Sequence, residues 1–225
     1  MAGSRSPSWV ERHLDPGERL GEILFGLVMV LTFTLTAGLS VTEGREGVRA
    51  LLTSAIGCNI AWGIIDGVFY VMGGLFHRGR RVRIARAIRS SADEKAAEAL
   101  VASELEPTLE EVASPEERRR LYRDIVQVVR RSAPARVGIT RDDLWGALAS
   151  FWLVVLSTIP AALPFLVFRE ETRFALRVSN GLLIALIFLV GFRWARYTGG
   201  SGWRTGAALA AMGIALVAVA FALGG

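Results

Sequence analysis

The sequence is poor in the residues that most catalytic and metal-binding motifs use. Its 225 residues include one cysteine, Cys58, and two histidines, His13 and His77. It contains no CxxC pair, no HExxH helix, no GxxxxGK(S/T) loop and no GxSxG elbow. An intrachain disulfide is excluded, and a P-loop ATPase, a zinc hydrolase and a serine hydrolase lack support. We therefore expect neither an enzyme nor a bound cofactor, and any transport would use an ion gradient rather than ATP.

Long apolar runs are what the sequence has in abundance. Hydrophobic residues make up 52% of the chain. A helix of about 20 apolar residues crosses a hydrocarbon core of about 30 Å, and none of the runs alternates as a barrel strand would. The last two runs are short and need their flanks to complete a crossing. We predict an all-α integral membrane protein with five transmembrane helices, built on Ile23–Val41, Val48–Phe76, Leu144–Phe168, Leu176–Phe192 and Ala207–Leu223.

The positive charges are distributed unequally between the two sides that five spans would create. Residues 1–19, the long segment 77–143 and the connection between the last two runs hold 21 of the 26 cations. Lysine and arginine accumulate in cytoplasmic loops. The bias places the N-terminus and the long segment in the cytoplasm, with Gly225 outside. We expect a bacterial-type inner membrane.

The long segment predicts a cytoplasmic helical insert between the second and third transmembrane helices. The expected organisation is 1–76 for the first two spans, 77–140 for the insert and 141–225 for the last three spans. Within the insert, helices are predicted over Ala92–Leu105 and Thr108–Ala113, separated by Pro107. A third helix follows a capping box at Ser114 and ends near Arg131, and its predicted apolar stripe is Leu121, Ile125, Val128 and Val129.

Several local signals mark helix ends and breaks. Asp15 before Pro16 predicts the start of the first span, and the acids after Thr140 predict that of the third. Pro160 and Pro164 should interrupt the third span twice, bordering a pathway or simply kinking it. The basic run 80–89 either extends the second span to touch anionic headgroups or only anchors the topology.

Asp66 is the strongest candidate for a functional residue. It lies near the middle of the second apolar run, where an ionisable side chain is costly and functional by default. Asn59 lies two turns earlier on the same helical face, so the two could coordinate a hard divalent cation or relay protons. The alternative is a hydrogen-bonded packing contact with a neighbouring helix. Gly63 lies between Asn59 and Asp66, and Gly67 directly follows Asp66. Two glycines four residues apart predict that this face meets another helix.

Other carboxylates are weaker candidates for a metal site. Glu22, at the entrance of the first span, could be a gate ligand or could only favour the positive end of the helix dipole. The insert carries acids whose oxygens suit Fe²⁺, Mn²⁺ or Ca²⁺, although the arginines interleaved with them favour an ordinary solvated surface. The candidate ligands there are Glu94, Glu98, Glu104, Glu106, Glu110 and Glu111.

The chain resembles the vacuolar iron transporter family in three stretches and in its plan. Residues 21–27 and Ala37-Gly38 are similar to that family's first span, and 157–165, STIPAALPF, to its two-proline third span. The glycine-rich 198–202 and the residues around it are similar to its last two spans. Five spans with a glutamate-bearing insert after the second is also the family's plan.

The resemblance implies a homodimer that exports Fe²⁺ or Mn²⁺ from the cytoplasm in exchange for protons. The metal would pass along the dimer interface, and the insert glutamates would collect it. The partners expected are membrane lipid, the metal ions and a second copy, without nucleic acid. The alternative is a non-transporting membrane protein whose insert binds a protein partner or lipid.

Overall fold

Every element in the described part of the chain is a helix. The computed structural model describes residues 8–38, 45–133, 136–168 and 171–222. The chain divides into two compact units, a helical bundle formed by Met1–Val71 with Arg141–Gly225, and an insert formed by Met72–Thr140. In chain order the helices are α1 Trp9–His13, α2 Pro16–Gly38, α3 Arg45–Ser90, α4 Glu94–Leu109, α5 Pro115–Arg131, α6 Arg141–Leu156, α7 Ile159–Val167, α8 Thr172–Thr198 and α9 Gly202–Ala222.

Four helical stretches are long and apolar enough to cross a membrane. They are α3, the α6–α7 pair Arg141–Val167, α8, and Gly202–Val219 of α9. This is the composition of an integral membrane protein. Helix α2 has 23 residues but is not among the four, and Glu18, Arg19 and Glu22 interrupt its first turns. The end of its predicted apolar run, 39–41, lies outside the described residues, as do Leu223 and Gly225.

The helices of the bundle run alternately between two ends. At one end, Tyr70 of α3 donates a hydrogen bond to the His13 carbonyl at 2.8 Å, and the Trp145 ring of α6 packs edge-on against Trp9. The end of α8 joins them there, because Arg193 and Arg19 line one cavity. At the other end, α3, α7 and α8 share a buried cluster of Leu51, Phe165, Ala175 and Leu176.

The bundle core is apolar and lies between α2, α7 and α8. Its buried side chains are Leu27, Val30, Leu31, Leu35, Ala161, Leu183, Ile187 and Val190. Helices α8 and α9 approach closely because glycines face one another: a Cβ on Gly191 would lie 2.9 Å from the Cα of Gly206. Small residues permit such contacts where lipid leaves dispersion as the main attraction.

The two prolines of the third span produce one break rather than the two predicted. Helix α6 ends at Leu156, and α7 begins at Ile159 with Pro160 in its first turn, where its missing N–H is not needed. Pro164 lies inside α7 without ending it. The start signals at Asp15 and Thr140 are confirmed, since α2 and α6 begin at the following residue.

The insert contains fewer helices than the sequence predicted. Helix α4 runs through Pro107 to Leu109, so the separate helix over Thr108–Ala113 was wrong. The carbonyl that loses its partner belongs to Ser103, four residues earlier, and Ser103 is exposed to water. The capping box at Ser114 and the end of α5 at Arg131 are confirmed.

The predicted apolar stripe of α5 was also wrong in part. Tyr122 and Val126 are buried against Ile88, Ala97 and Val101, with Ile125 and Val129 partly buried beside them. Leu121 and Val128 are exposed instead. The buried face is rotated toward Tyr122 and Val126, and the Tyr122 hydroxyl can be accommodated there because it donates to Glu106.

Candidate functional site

One face of α3 packs against α6 through two glycines. A Cβ on Gly63 would lie 3.1 Å from the Phe151 carbonyl oxygen, and one on Gly67 would lie 3.1 Å from that of Ala147. Both glycines are buried, whereas most of the intervening side chains of α3 are exposed. The predicted helix contact is confirmed. It places the polar residues on this face, Asn59 and Asp66, against neighbouring helices.

Asn59 is a packing residue at the break between α6 and α7. Its side chain is fully buried, and its Nδ2 donates to the carbonyl oxygens of Val154 at 3.0 Å and Gly26 at 3.3 Å. The Val154 carbonyl lacks its helical N–H partner because the Thr158 N–H bonds to Val155 instead, and it accepts a bond from the Ser157 hydroxyl at 2.6 Å as well as the one from Asn59. A free carbonyl at membrane depth must be satisfied by a neighbour. The geometry therefore matches the packing alternative for the amide nitrogen, although Oδ1 accepts no bond from the described residues.

Asp66 of α3 and Glu22 of α2 lie within electrostatic range of one another. Both side chains are partly buried, and the two carboxylates lie close enough for their charges to interact. Oδ2 of Asp66 is buried and has no hydrogen-bond partner in the described part of the chain. The sequence placed these residues 44 positions apart and predicted only that each enters the apolar region. The bundle brings them together at α6.

Ser150 of α6 completes this polar group. Its side chain is fully buried and lies beside the Glu22 carboxylate, yet its hydroxyl makes no hydrogen bond of ordinary geometry with the described residues. Unsatisfied buried hydroxyls are rare and require an explanation such as an ion or water. The sequence analysis overlooked Ser150 because a lone serine in an apolar run has no distinguishing pattern.

Further acids surround the same end of the bundle. The Tyr70 hydroxyl lies within electrostatic range of four carboxylates, those of Glu18, Asp143, Asp142 and Asp15. Asp143 is 6% exposed, and the Tyr70 ring packs directly over Gly146. The sequence assigned these acids only to helix starts. The sequence could not predict that these acids lie near Tyr70, because their proximity depends on how the helices pack.

The described residues include no group of three or more Asp, Glu, His and Cys side chains placed to hold a metal ion. Glu22 and Asp66 supply two carboxylates, and Ser150 supplies a hydroxyl. Oxygen donors of this kind suit a hard divalent cation, which requires about six oxygens. Water, backbone carbonyls or a second chain would have to contribute the rest.

The insert glutamates are not gathered into one site. Glu104 pairs with Arg80 at 2.8 Å. Glu106 pairs with Arg118 and accepts a hydrogen bond from the Tyr122 hydroxyl, which raises the pKa of Tyr122 above its ordinary value. The other four candidates lie along α4 or just after it and have no ion pair among the described residues: Glu94, Glu98, Glu110 and Glu111.

Comparison with known proteins adds no family assignment. No protein-family model matches the chain, and no curated protein matches it.

Proposed function

We propose that this chain is an integral membrane transporter that exchanges a divalent cation, Fe²⁺ or Mn²⁺, for protons. One observation carries the proposal: the partly buried carboxylates of Glu22 and Asp66 lie within electrostatic range of each other, and Ser150 lies beside Glu22, within a bundle of apolar helices. Acids inside such a bundle are expensive and characteristic of ion and proton pathways. A packing role alone would be served by amides, as at Asn59.

The exchange follows from the charges of the pair. Two like charges in a medium of low dielectric constant cannot both remain ionised without a counter-charge. Protons on both carboxyl groups remove the repulsion, and so does one divalent cation held between the carboxylates. Binding the cation then releases up to two protons, so the two loaded states carry the same net charge. The buried Asp66 Oδ2, which has no hydrogen-bond partner among the described residues, and the Ser150 hydroxyl beside Glu22 could contribute to the coordination.

The transporter is proposed to act as a homodimer with metal passing along the interface. Ile65 and Phe69, which flank Asp66 on α3, are exposed, so the edge of the site reaches the surface of the bundle. A second copy at this edge would supply further ligands and exclude lipid from the pair. The exposed face of α3 is apolar in its middle part, with Ile56, Ile60, Ile64, Val68 and Met72.

Helix α2 is proposed as the fifth span, with the arginine-rich end of the bundle in the cytoplasm. Support comes from the alternating helix directions, since the start of α2 and the end of α8 lie at one end. That end carries Arg19, Arg193 and Arg196, in keeping with the positive-inside bias. The acids around Tyr70 lie there too and would raise the local cation concentration.

The insert would act as a cation collector through the four glutamates that lack an ion pair, whereas Glu104 and Glu106 stabilise its fold. The alternative is a protein that does not transport and whose insert binds a protein partner or lipid. The ion pairs of Glu104 and Glu106 favour this alternative, because they occupy two of the proposed metal ligands. Arg83 and Arg86 are also exposed and have no ion pair within the described residues. The two proposals differ in one measurable respect, which is metal-driven proton movement.

The decisive experiment uses proteoliposomes containing the full chain and a pH-sensitive dye. Adding Mn²⁺, or Fe²⁺ kept reduced, should move protons in the opposite direction to the metal. Asp66→Asn and Glu22→Gln preserve size and hydrogen bonding but remove one titrating charge each, so each should abolish the coupled proton movement. Glu46→Gln is the matched control because Glu46 is an exposed acid in the first turn of the same α3.

Two results would contradict the proposal. Wild-type exchange by both Asp66→Asn and Glu22→Gln would remove the pair from the mechanism. Absence of metal-driven proton movement by the unmodified chain, with Mn²⁺ and Fe²⁺ alike, would favour the non-transporting alternative. Size-exclusion profiles of each variant in detergent distinguish a loss of exchange in a folded protein from a loss caused by misfolding.

A further inference from the structure

An apolar groove runs along the bundle between α2, α6 and α8. It encloses about 430 Å³ and is lined mainly by aliphatic side chains, among them Leu20, Ile23, Leu27, Leu156 and Leu189. Leu156 and Leu189 are each about half exposed, so the groove opens on the side of the bundle rather than into its core. It shares no residue with the Glu22–Asp66 pair.

The groove ends among arginines. An adjoining cavity of about 360 Å³ shares Leu20, Ile23 and Arg193 with the groove, so the two are continuous. This second cavity adds Val10, Glu11, Pro16, Arg19, Arg196 and Tyr197. Arg19 is already paired with Glu11 at 3.0 Å. Arg193 and Arg196, by contrast, are exposed and have no ion pair or hydrogen bond within the described residues.

We propose that this groove binds an anionic phospholipid, with one acyl chain along the aliphatic walls and the phosphate on Arg193 and Arg196. The arrangement has the amphipathic character of such a lipid: an open apolar channel parallel to the helices, then two unneutralised guanidinium groups at its end. Basic pockets beside membrane helices recognise anionic headgroups in this way. Guanidinium groups also suit phosphate through paired hydrogen bonds.

Other occupants match the groove less well. A free phosphate ion would use the arginines but leave the aliphatic walls uncovered. A zwitterionic lipid would fill the walls but would place a positive headgroup amine near the guanidinium groups. Tyr197, which is largely exposed beside the arginines, is an amphipathic side chain of the kind enriched at headgroup level.

The test measures lipid binding by native mass spectrometry of the full chain after delipidation in a neutral detergent. Phosphatidylglycerol should bind more tightly than phosphatidylcholine. Two arginine contacts at about 1 kcal/mol each correspond to about 30-fold in affinity, so the double variant Arg193→Gln with Arg196→Gln should weaken phosphatidylglycerol binding by about 10- to 30-fold. Arg204→Gln is the matched control, an exposed arginine of α9 that does not line the groove.

A second pair of variants tests the acyl-chain part of the site. Leu189→Trp fills the groove without changing charge and should also weaken phosphatidylglycerol binding. Ile214→Trp, at an equally exposed position on α9, should not. If Arg204→Gln weakened phosphatidylglycerol binding as much as the double variant does, the effect would come from general surface charge, and the proposal would be overturned. Unchanged binding by Leu189→Trp, or full competition by inorganic phosphate, would overturn it as well.

Discussion

The bundle and the insert are both helical, but their polar side chains are used differently. In the bundle, buried side chains donate to backbone carbonyls of other helices: Asn59 to Val154, and Ser179 to Ala161 at 2.8 Å. In the insert, charged side chains take this role: Arg80 pairs with Glu104, and Arg130 donates to the Ser91 carbonyl at a helix end. Where water is absent every freed carbonyl needs a donor, whereas exposed ion pairs in water each contribute little.

The same contrast applies to the apolar contacts. Helices in the bundle approach through glycines whose missing Cβ atoms would overlap a neighbouring backbone, as at Gly191. The insert instead buries a compact group of larger side chains around Val126 and Tyr122. The first arrangement depends on close backbone packing and the second on removing apolar area from water. The bundle should therefore be sensitive to volume added at its glycine contacts, and the insert to volume removed from its buried group.

Adding volume to the bundle should give the largest loss of stability. Gly191→Ala places a methyl group 2.9 Å from Gly206 and from the Thr205 carbonyl, which are backbone atoms that cannot rotate away. We expect a cost of about 1–3 kcal/mol, as for other overpacked sites, seen as a lower melting temperature in detergent. Gly181→Ala is the control on the same helix, where a Cβ meets nothing within 4 Å. Equal melting temperatures for the two variants would contradict the close α8–α9 contact.

Removing volume from the insert should give a loss of stability within the same range. Val126→Ala deletes two buried methyl groups, and at about 0.8 kcal/mol for each buried carbon plus a cavity cost we expect roughly 2 kcal/mol. Val128→Ala, two residues away on the exposed side of α5, should have almost no effect. Amide hydrogen exchange across α5 in the intact chain measures both. A larger effect at Val128 would restore the stripe first predicted from the sequence.

The smallest effect is expected at the cap of α5, and it should depend on pH. Glu117 accepts hydrogen bonds from the side chain and the backbone N–H of Ser114, which hold the pKa of Glu117 below its usual 4.5. A lowered pKa means that the stabilisation is fully present above pH 4.5 and is lost as the pH falls through the folded-state value. Faster exchange at the start of α5 should therefore appear only in acid.

Glu117→Gln is the matched variant for this cap. It should remove the acid-dependent part of the exchange, while the effect of Ser114→Ala, about 1 kcal/mol as for other N-caps, should persist at neutral pH. A Glu117→Gln protein that retained the full acid response would assign that response to another group in the insert.

Local features of the sequence predicted most of the helices but not their partners. Proline, acid and capping-box signals located the starts of α2, α5 and α6 within a residue, because each signal satisfies backbone N–H groups nearby in the chain. Pro107 was misread because a proline ends a helix only where the lost bond cannot be replaced. The stripe on α5 was misassigned because apolar residues occur on more than one side of this helix, and only packing decides that Tyr122 and Val126 are buried while Leu121 and Val128 are exposed.

The candidate site shows the same division. Its acids could be named from the sequence, since Glu22 and Asp66 stand out in apolar runs. The sequence could not show that Ser150 belongs to the site or that the two carboxylates are close to each other. Both depend on how α2, α3 and α6 pack. Asn59, predicted beside Asp66 as a possible ligand, bonds mainly to the break between α6 and α7, and no sequence spacing could have assigned its amide to Val154.

The sequence by itself determined that the chain is helical and apolar enough for a membrane, where most helices begin, and which end of the bundle carries the arginines. These properties follow from run length, capping and charge, which act within a few residues of the chain. The tertiary structure alone decided which carboxylates meet, which glycines touch backbone and which arginines close a groove. Each of those contacts joins helices far apart in sequence, and its geometry depends on distances that no local pattern contains.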